Sequence, residues 1–299
     1  MELSKLTTEK RNQQSMNLDQ MSTLEILKTI NTEDKKIAGA VELVLPQIDI
    51  AVEQAYKALA GGGRLFYIGA GTSGRLGVID ASECPPTFMT PPEMVQTVMA
   101  GGSDAFFNAV EGSEDNEVQG AADLKEHHFT AKDVAIGITA SGRTPYPIGA
   151  LKYAQEMGAY TISLSCNEKA LISAYAACAI EVLVGPEVLT GSTRMKAATS
   201  HKMILNMIST TAMIKLGKVY ENLMVDVHAS NYKLKERAKH TLMEVTKVSY
   251  EEAERILHLT NYEVKPAIVM LEASVNLHQA QVAIGLNKGY VRNAIRYLS

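Results

Sequence analysis

The chain has 299 residues, of which 46% are hydrophobic and 21% charged, and its formal net charge is −4. This length is enough for a large core in one large or two small domains, and a small negative charge without a basic block argues against a nucleic-acid partner. The polar amino end has no apolar signal core, and no apolar run approaches the ~18 residues of a membrane helix, so we expect a soluble cytoplasmic protein with no membrane part.

The amino-terminal part of the chain is predicted to be helical. Ser22 and Thr23 can cap a helix that begins with Leu24, and residues 34–60 carry apolar side chains at helical spacing up to a run of three glycines. We assign residues 1–50 to an amino-terminal helical extension.

Short apolar runs of a different character follow. They are rich in β-formers and mostly do not alternate with polar residues, which is typical of parallel strands buried on both faces. Segments of helical composition lie between most of them, such as 148–157 and 170–177, and a long helix is predicted over about 193–216. The pattern predicts an α/β fold with a doubly wound, five-stranded parallel sheet flanked by helices, in a domain of residues 51–225. The five predicted strands are 65–68, 95–99, 134–139, 160–165 and 179–184.

The composition changes near residues 228–237, and the chain beyond this point has helical signals only. Ser249 and Glu252 have the spacing of a capping box, Pro266 suits the first turn of a second helix, and Gly289 can end a third. We therefore predict a small helical subdomain over residues 235–299.

The cysteines indicate neither disulfides nor a metal site. Cys84, Cys166 and Cys178 lie in or beside apolar runs without metal-ligand spacing, so we predict buried free thiols. Neither a metal nor another cofactor is predicted.

A glycine-rich loop follows the first predicted strand. Gly69-Ala-Gly-Thr-Ser-Gly74 matches the G-x-G-x-x-G of a dinucleotide site. In that fold the second strand ends in an acid that binds the ribose hydroxyls, whereas here the second strand is followed by Ala100-Gly-Gly102. A dinucleotide site is therefore the weaker hypothesis.

Three loops at the carboxyl ends of predicted strands combine glycine, hydroxyl side chains and arginine: the glycine loop with Arg75 behind it, Ala140-Ser-Gly-Arg-Thr144, and Thr190-Gly-Ser-Thr-Arg194. In an open parallel sheet these ends face one crevice, where hydroxyls and helix N-termini bind phosphate oxygens. The alternative is three capped turns. We predict a phosphate monoester site formed by Gly71, Thr72, Ser73, Ser141, Arg143, Thr144, Ser192 and Thr193.

Longer motifs resemble one known family. IGAGTSGRLGVIDASECPPTF, MAGG, AVEGSEDN, GITASGRTPY and GSTRMKAATSHKMILNMIST are similar to the N-acetylmuramic acid 6-phosphate etherases, and the resemblance covers nearly the whole chain. It implies a sugar isomerase (SIS) type sheet, a UBA-like helical carboxyl end, and a homodimer that works without metal. The implied reaction cleaves the D-lactyl ether of N-acetylmuramic acid 6-phosphate, a cell-wall phosphosugar that is recycled or consumed, to N-acetylglucosamine 6-phosphate and D-lactate.

The resemblance also implies two catalytic carboxylates. Glu83, in Ser82-Glu-Cys-Pro-Pro86, would protonate the departing lactate and then activate water, and Glu114, in Glu111-Gly-Ser-Glu-Asp115, would handle the proton on C2. We expect both in loops that lead from strand ends. Without the resemblance, a turn acid is the simpler interpretation of each.

Three alternatives remain open from sequence. The glucokinase regulatory protein, a more distant relative, exemplifies a sugar-phosphate sensor without catalysis, but the presence of Glu83 and Glu114 favours an enzyme. A phosphosugar isomerase shares the removal of the C2 proton. A transcription regulator would need a DNA-binding module, of which the amino end gives no sign. Sequence also leaves open whether Arg75, Arg143 or Arg194 holds the phosphate or the lactyl carboxylate.

Overall fold

A parallel sheet of five strands, in the order β2-β1-β3-β4-β5, organises the first part of the protein. The computed structural model describes residues 6–108, 110–227 and 231–299. Within these ranges, contacts divide the chain into two units: residues up to Ala81 with Glu93–Ser209, and Ser82–Pro92 with Thr210–Ser299. The strands are β1 (Leu65–Gly69), β2 (Val95–Met99), β3 (Val134–Ile138), β4 (Tyr160–Ser165) and β5 (Cys178–Glu181).

The strand order creates a topological switch point between β1 and β3. From β1 the chain crosses to β2 on one side, then returns to β3 on the other side and continues outward to β4 and β5. Such a point opens a crevice outside the carboxyl ends of the two central strands. Gly69 pairs with Ile138 at these ends, so the loops that follow β1 and β3 begin at the same level.

Helices cover both faces of this sheet, which explains the unbroken apolar runs. Every residue of β1 and β3 is buried, as expected for strands of a parallel sheet with covered faces. The predicted doubly wound sheet is therefore confirmed. The helices are α1 (Thr23–Asp34), α2 (Lys36–Glu42), α3 (Leu45–Ala60), α4 (Gly71–Phe88), α5 (Asp104–Phe107), α6 (Glu117–Glu126), α7 (Pro145–Glu156) and α8 (Lys196–Lys215), of which α4 and α8 continue into the second unit.

Several predicted bounds differ from the structure. The predicted helix over 34–60 is divided into α2 and α3, because Pro46 begins a new helix in the first turn of α3. The segment 170–177 forms a short 3₁₀ turn, Leu171–Tyr175, rather than an α-helix. Three further 3₁₀ turns, Thr7–Glu9, Gln13–Ser15 and Leu18–Gln20, precede α1.

The second unit is mainly helical, as predicted. The Ser249 side chain accepts a hydrogen bond from the Glu252 N–H at 3.2 Å and so caps a helix. Gly289, at φ +85°, ends another. Residues 228–230 of the predicted transition lie outside the described residues. The elements are a two-stranded pair, β6 (Val219–Tyr220) and β7 (Leu223–Met224), and α9 (Tyr232–Thr246), α10 (Tyr250–Leu259), α11 (Val264–Ala273), α12 (Leu277–Leu286) and α13 (Val291–Leu298).

Two further expectations concern the described part of the chain. The thiols of Cys84, Cys166 and Cys178 are buried and form no disulfide, which confirms the prediction for these three residues. Among the described helices, none has the length and apolar character required to cross a bilayer. The domain bounds 1–50, 51–225 and 235–299 stay a prediction.

Candidate active site

A cavity of about 230 Å³ lies at the switch point between β1 and β3. The loops after β1 and β3 and the loop before α8 all contribute to its wall, so the structure brings the three predicted hydroxyl-bearing loops together. Among the predicted phosphate ligands, Ser192 and Arg143 are not part of the wall. The lining residues are Glu9, Ala70, Gly71, Thr72, Ser73, Glu114, Ile138, Thr139, Ala140, Ser141, Thr144, Gly191, Thr193, Ala198 and His201.

The glycine loop presents the N-terminus of α4 to this cavity. Gly71 has φ +53°, a left-handed conformation that glycine adopts readily. A Cβ on Gly74 would lie 2.8 Å from the Gly69 carbonyl oxygen, so this glycine allows α4 to start directly against β1. The N–H groups of the first helical turn have no acceptor within the helix, and together with the hydroxyls of Thr72 and Ser73 they form an anion-binding end.

The loop after β3 contributes a cluster of hydroxyl groups. The buried Thr139 Oγ1 lies 2.7 Å from Thr144 Oγ1 and 3.2 Å from Ser141 Oγ, which also accepts the Arg143 N–H at 3.2 Å. The following helix, α7, has prolines at positions 145 and 147, so its first turn offers few N–H donors. Side-chain hydroxyls are therefore the main donors on this side of the cavity.

The third loop has a different role because a carboxylate of the protein itself caps the N-terminus of α8. The carboxylate of Glu187, only 1% exposed, accepts the N–H groups of Lys196 at 3.0 Å and of Ala197 at 2.9 Å. Burial raises the pKa of Glu187, although these hydrogen bonds act in the opposite direction. The first amides of α8 are thus occupied, and the strongest backbone donors left for a phosphate belong to α4.

The described wall of the cavity contains no cationic side chain. Its described lining contains the carboxylates of Glu9 and Glu114 and no lysine or arginine. Arg75, a candidate phosphate ligand from sequence, donates to the carbonyl oxygens of Ala105 at 2.8 Å and Phe106 at 2.9 Å, and so holds the loop after β2. Arg194 is exposed and also lies outside the wall.

Glu114 lies where two cavities meet. It belongs to a short 3₁₀ turn, Ser113–Asp115, that follows the loop held by Arg75, and its side chain is exposed. A second cavity of about 210 Å³ shares Gly71 and Glu114 with the first. Each is smaller than the ~300 Å³ at which ligand pockets usually begin. Glu114 lies beside the loop that carries Thr72 and Ser73.

Glu83 differs from the expectation of a loop position. It lies inside α4, two residues before Pro85 and Pro86, and its side chain is exposed rather than enclosed by apolar neighbours. The residue before a proline disfavours helical geometry, yet α4 continues through both prolines to Phe88. Glu83 is not among the lining residues of the cavity at the switch point.

A buried histidine also lines the cavity. His201 is 1% exposed, and its Nε2 lies 3.2 Å from the Sγ of Cys166. Burial lowers the pKa of His201 to about 3 and raises the pKa of Cys166 to about 12, so both groups are neutral near pH 7. A neutral imidazole adds no positive charge to the cavity wall.

The neutral state of His201 predicts a pH-dependent stability. The unfolded chain binds a proton on this residue below pH 6.5 and the folded chain does not until about pH 3. The free energy of unfolding should therefore fall, as the pH decreases below 6.5, by up to about 1.4 kcal/mol per pH unit from this group. We expect the free energy of unfolding of His201→Asn, measured by urea unfolding between pH 5 and 7.5, to depend less on pH than that of the original protein. The exposed-residue control His278→Asn should keep the original slope, and parallel profiles for all three proteins would contradict the assignment.

A larger cavity is also present in the first unit. It measures about 820 Å³, lies beside β2 and α6, and contains none of the predicted site residues. Volume alone would favour this space, but the predicted hydroxyl-bearing loops line the cavity at the switch point instead. Glu9 and Thr139, in contrast, line the cavity at the switch point without having been predicted. Thr139 ends a predicted strand beside the loop that carries Ser141, within the motif GITASGRTPY. No quoted motif includes Glu9, and only the fold brings it to the site.

Comparison with curated proteins identifies close relatives. The chain is 55% identical over 296 residues to an N-acetylmuramic acid 6-phosphate etherase from Bacillus pumilus, covering 99% of this chain and 98% of the relative. It is 55% identical over 295 residues to the protein of the same name from Bacillus subtilis, covering 99% and 97%. The protein of that name from Yersinia pestis is 54% identical over 295 residues, covering 99% and 100%.

Family models and solved structures agree with the fold. The model of the glucokinase regulatory protein N-terminal SIS domain matches residues 47–155. A phosphoheptose isomerase from Francisella tularensis aligns with a TM-score of 0.51 and 17% identity, covering 65% of this chain and all of that one. Another from Neisseria gonorrhoeae has a TM-score of 0.50 and 17% identity, covering 64% and 99%. At this identity, the likeness concerns the fold alone.

Proposed function

The chain belongs to the N-acetylmuramic acid 6-phosphate etherase family, and from this premise we propose how its residues perform the reaction. The protein is a carbon–oxygen lyase that cleaves the lactyl ether of N-acetylmuramic acid 6-phosphate. Its products are N-acetylglucosamine 6-phosphate and D-lactate, with one water molecule consumed. Ser73, Ser141 and their loops hold the phosphate, and Glu83 and Glu114 carry out the proton transfers.

The observation that supports this assignment most is the chemistry of the cavity at the switch point. The N-terminus of α4 and the hydroxyls of Ser73, Ser141 and Thr144 face one space of about 230 Å³. A phosphate monoester needs many hydrogen-bond donors, and this wall supplies them. Because the phosphate on C6 does not react, these donors hold the sugar while its other end undergoes chemistry.

An alkyl ether leaves poorly by direct displacement, so we propose elimination followed by hydration. When the sugar ring opens, C1 becomes an aldehyde and the proton on C2 becomes acidic. Removal of that proton expels lactate from C3, with the C–O electron pair leaving on the lactyl oxygen, and produces an unsaturated aldehyde. Water then adds to C3, and a proton returns to C2. Each positioned acid or base is worth roughly 10²–10⁴-fold in rate.

The two carboxylates have separate roles in this proposal. Glu83 protonates the departing lactyl oxygen and afterwards takes the proton from the attacking water. Glu114, which lines the cavity beside Thr72 and Ser73, handles the proton on C2. The role of Glu83 comes from the family resemblance, and the cavity supports the role of Glu114 by its position.

A phosphosugar isomerase is the principal alternative, since it also removes the proton on C2. The two are separated by incubation with N-acetylmuramic acid 6-phosphate and enzymatic assay of D-lactate. An etherase releases D-lactate and N-acetylglucosamine 6-phosphate in equal amounts. An isomerase rearranges the sugar without releasing lactate, and a sugar-phosphate sensor leaves the compound unchanged.

The phosphate assignment predicts a selective loss of affinity in Ser73→Ala and Ser141→Ala. A hydrogen bond to a charged group is worth ~1.5–3 kcal/mol, so KM should rise about ten-fold or more while kcat changes less. Ser192→Ala is the matched comparison, because this residue comes from the third predicted loop but does not line the cavity. Steady-state kinetics check the prediction, and an unchanged KM in both wall variants would remove these residues from the phosphate site.

The cellular setting belongs to the same proposal. We place the enzyme in the cytoplasm as a homodimer that acts in the recycling of peptidoglycan or the use of cell-wall sugar. Light scattering of the purified protein tests the dimer, for which twice the 32.4 kDa of the chain is expected.

A further inference from the structure

The amino-terminal segment, residues 6–20, is anchored to the loops that build the cavity. Asn12 donates from Nδ2 to the Pro186 carbonyl oxygen at 3.1 Å, and Ser15 donates from Oγ to the Val188 carbonyl oxygen at 2.7 Å. Both acceptors follow β5. Leu6 is also buried, so the segment is packed as well as hydrogen-bonded.

Asn167, just after β4, connects this segment to the loop that carries Ser141. Its Oδ1 accepts the Thr7 N–H at 2.7 Å, and its Nδ2 donates to Thr8 Oγ1 at 3.1 Å. The same Nδ2 lies 3.1 Å from the Ala140 carbonyl oxygen and 3.3 Å from that of Ser141. Asn167 is 2% exposed, so the amide side chain is buried with both of its ends used.

This attachment places the carboxylate of Glu9 in the cavity wall. Glu9 ends the 3₁₀ turn held by Asn167 and lines the cavity together with Gly191 and Thr193. A Cβ built on Gly191 would lie 3.9 Å from Glu9 Oε2, so the carboxylate lies close to the loop before α8. A carboxylate accepts hydrogen bonds and repels anions. It therefore suits a hydroxyl or amide N–H of the sugar rather than the phosphate or the lactyl carboxylate.

We propose that Glu9 is a specificity-determining residue that accepts a hydrogen bond from a neutral donor of the sugar, and that Asn167 is a positioning residue for both Glu9 and the Ser141 loop. The proposal rests on the proposed function, because it takes the cavity as the phosphosugar site. It makes the amino-terminal segment a wall of the active site. Glu9 would not contribute to the binding of a phosphate ester that lacks these hydroxyl and amide N–H donors.

The test compares the full substrate with inorganic phosphate as a competitive probe. Glu9→Gln keeps the size of the side chain and removes its charge, so we expect KM for N-acetylmuramic acid 6-phosphate to rise about ten-fold. The Ki of inorganic phosphate should not rise, because the lost carboxylate repels anions. Glu42→Gln, an exposed change on α2, is the matched control. An unchanged KM in both Glu9→Gln and Glu9→Ala would overturn the role of Glu9.

Asn167→Asp tests the positioning role. It is isosteric but replaces the Nδ2 donor by an acceptor that faces the two carbonyl oxygens of the Ser141 loop. We expect both KM and the Ki of inorganic phosphate to rise at least five-fold, which is about 1 kcal/mol by the relation of affinity to free energy. Ser15→Ala, which weakens the segment away from this loop, should leave the Ki unchanged. A lower melting temperature in Asn167→Asp with unchanged KM and Ki would show a structural role only and overturn the proposal for this residue.

The outcomes also separate this inference from the proposed function. If the original enzyme releases no D-lactate, the proposed function fails, whatever the variants do. If it releases D-lactate and Ser141→Ala raises KM while the Glu9 variants do not, the phosphate site stands and Glu9 is not part of it.

Discussion

Glu83→Gln is expected to reduce ether cleavage by at least about 10²-fold. Glutamine keeps the size and the hydrogen-bonding groups of the side chain but cannot transfer the proton that the departing lactate needs. The rate of D-lactate release measures the effect. Since Glu83 is exposed in α4, the substitution should leave the melting temperature nearly unchanged, so a loss of activity would report on chemistry rather than folding. Near-normal lactate release would contradict the assignment.

Isotope labelling tests the order of steps behind this expectation. In deuterated water, elimination and hydration place deuterium at C2 of N-acetylglucosamine 6-phosphate, and in ¹⁸O-labelled water the label enters C3 and not lactate. Displacement at the lactyl carbon would label lactate instead. In Glu83→Gln, exchange of the C2 proton should survive the loss of cleavage, because Glu114 is proposed to remove it. Glu114→Gln is the complementary variant, in which we expect exchange and cleavage to fall together.

Lys196→Met should lower the free energy of unfolding by about 3–5 kcal/mol, because it leaves a buried carboxylate without its main partner. Lys196 Nζ lies 2.6 Å from Glu33 Oε2, with side chains 1% and 3% exposed. Burial alone would raise the pKa of Glu33, but the hydrogen bonds from Lys196 and Lys36 lower it to about 2. The ionised Glu33 carboxylate therefore makes its full contribution to the free energy of unfolding above pH 4.5, and this contribution is lost as the pH falls towards 2.

Chemical denaturation at pH 7 measures this change, and two variants control for it. Lys36→Met removes a lysine that is 56% exposed from the same carboxylate and should cost at most about 1 kcal/mol. The double variant Glu33→Met with Lys196→Met replaces the pair by apolar groups and should recover most of the loss. A Lys196→Met protein within 1 kcal/mol of the original would show that the pair contributes little.

Local chemistry made several elements predictable. The unalternating strands indicated a sheet covered on both faces, and Ser249 and Gly289 carry capping and stop signals that act within one helical turn. Loops rich in glycine and hydroxyls after successive parallel strands could be assigned to one crevice, because the carboxyl ends of such strands face the same edge. The position of Glu83 was not predictable in this way: a loop was expected, whereas α4 continues through Pro85 and Pro86, although the residue before a proline disfavours helical geometry.

By itself, the sequence established the type of sheet, the hydroxyl-bearing loops and, through long motifs, the family, since all three depend on residues close together in the chain. The tertiary structure decided which groups meet. Thr7 and Asn167 are 160 residues apart and hydrogen-bonded, and Glu9, Thr139 and His201 join the cavity wall from three separate elements. Arg75 binds carbonyl oxygens, and Glu187 occupies the amides of α8. Such pairings depend on packing between distant segments, and no local pattern of residues encodes them.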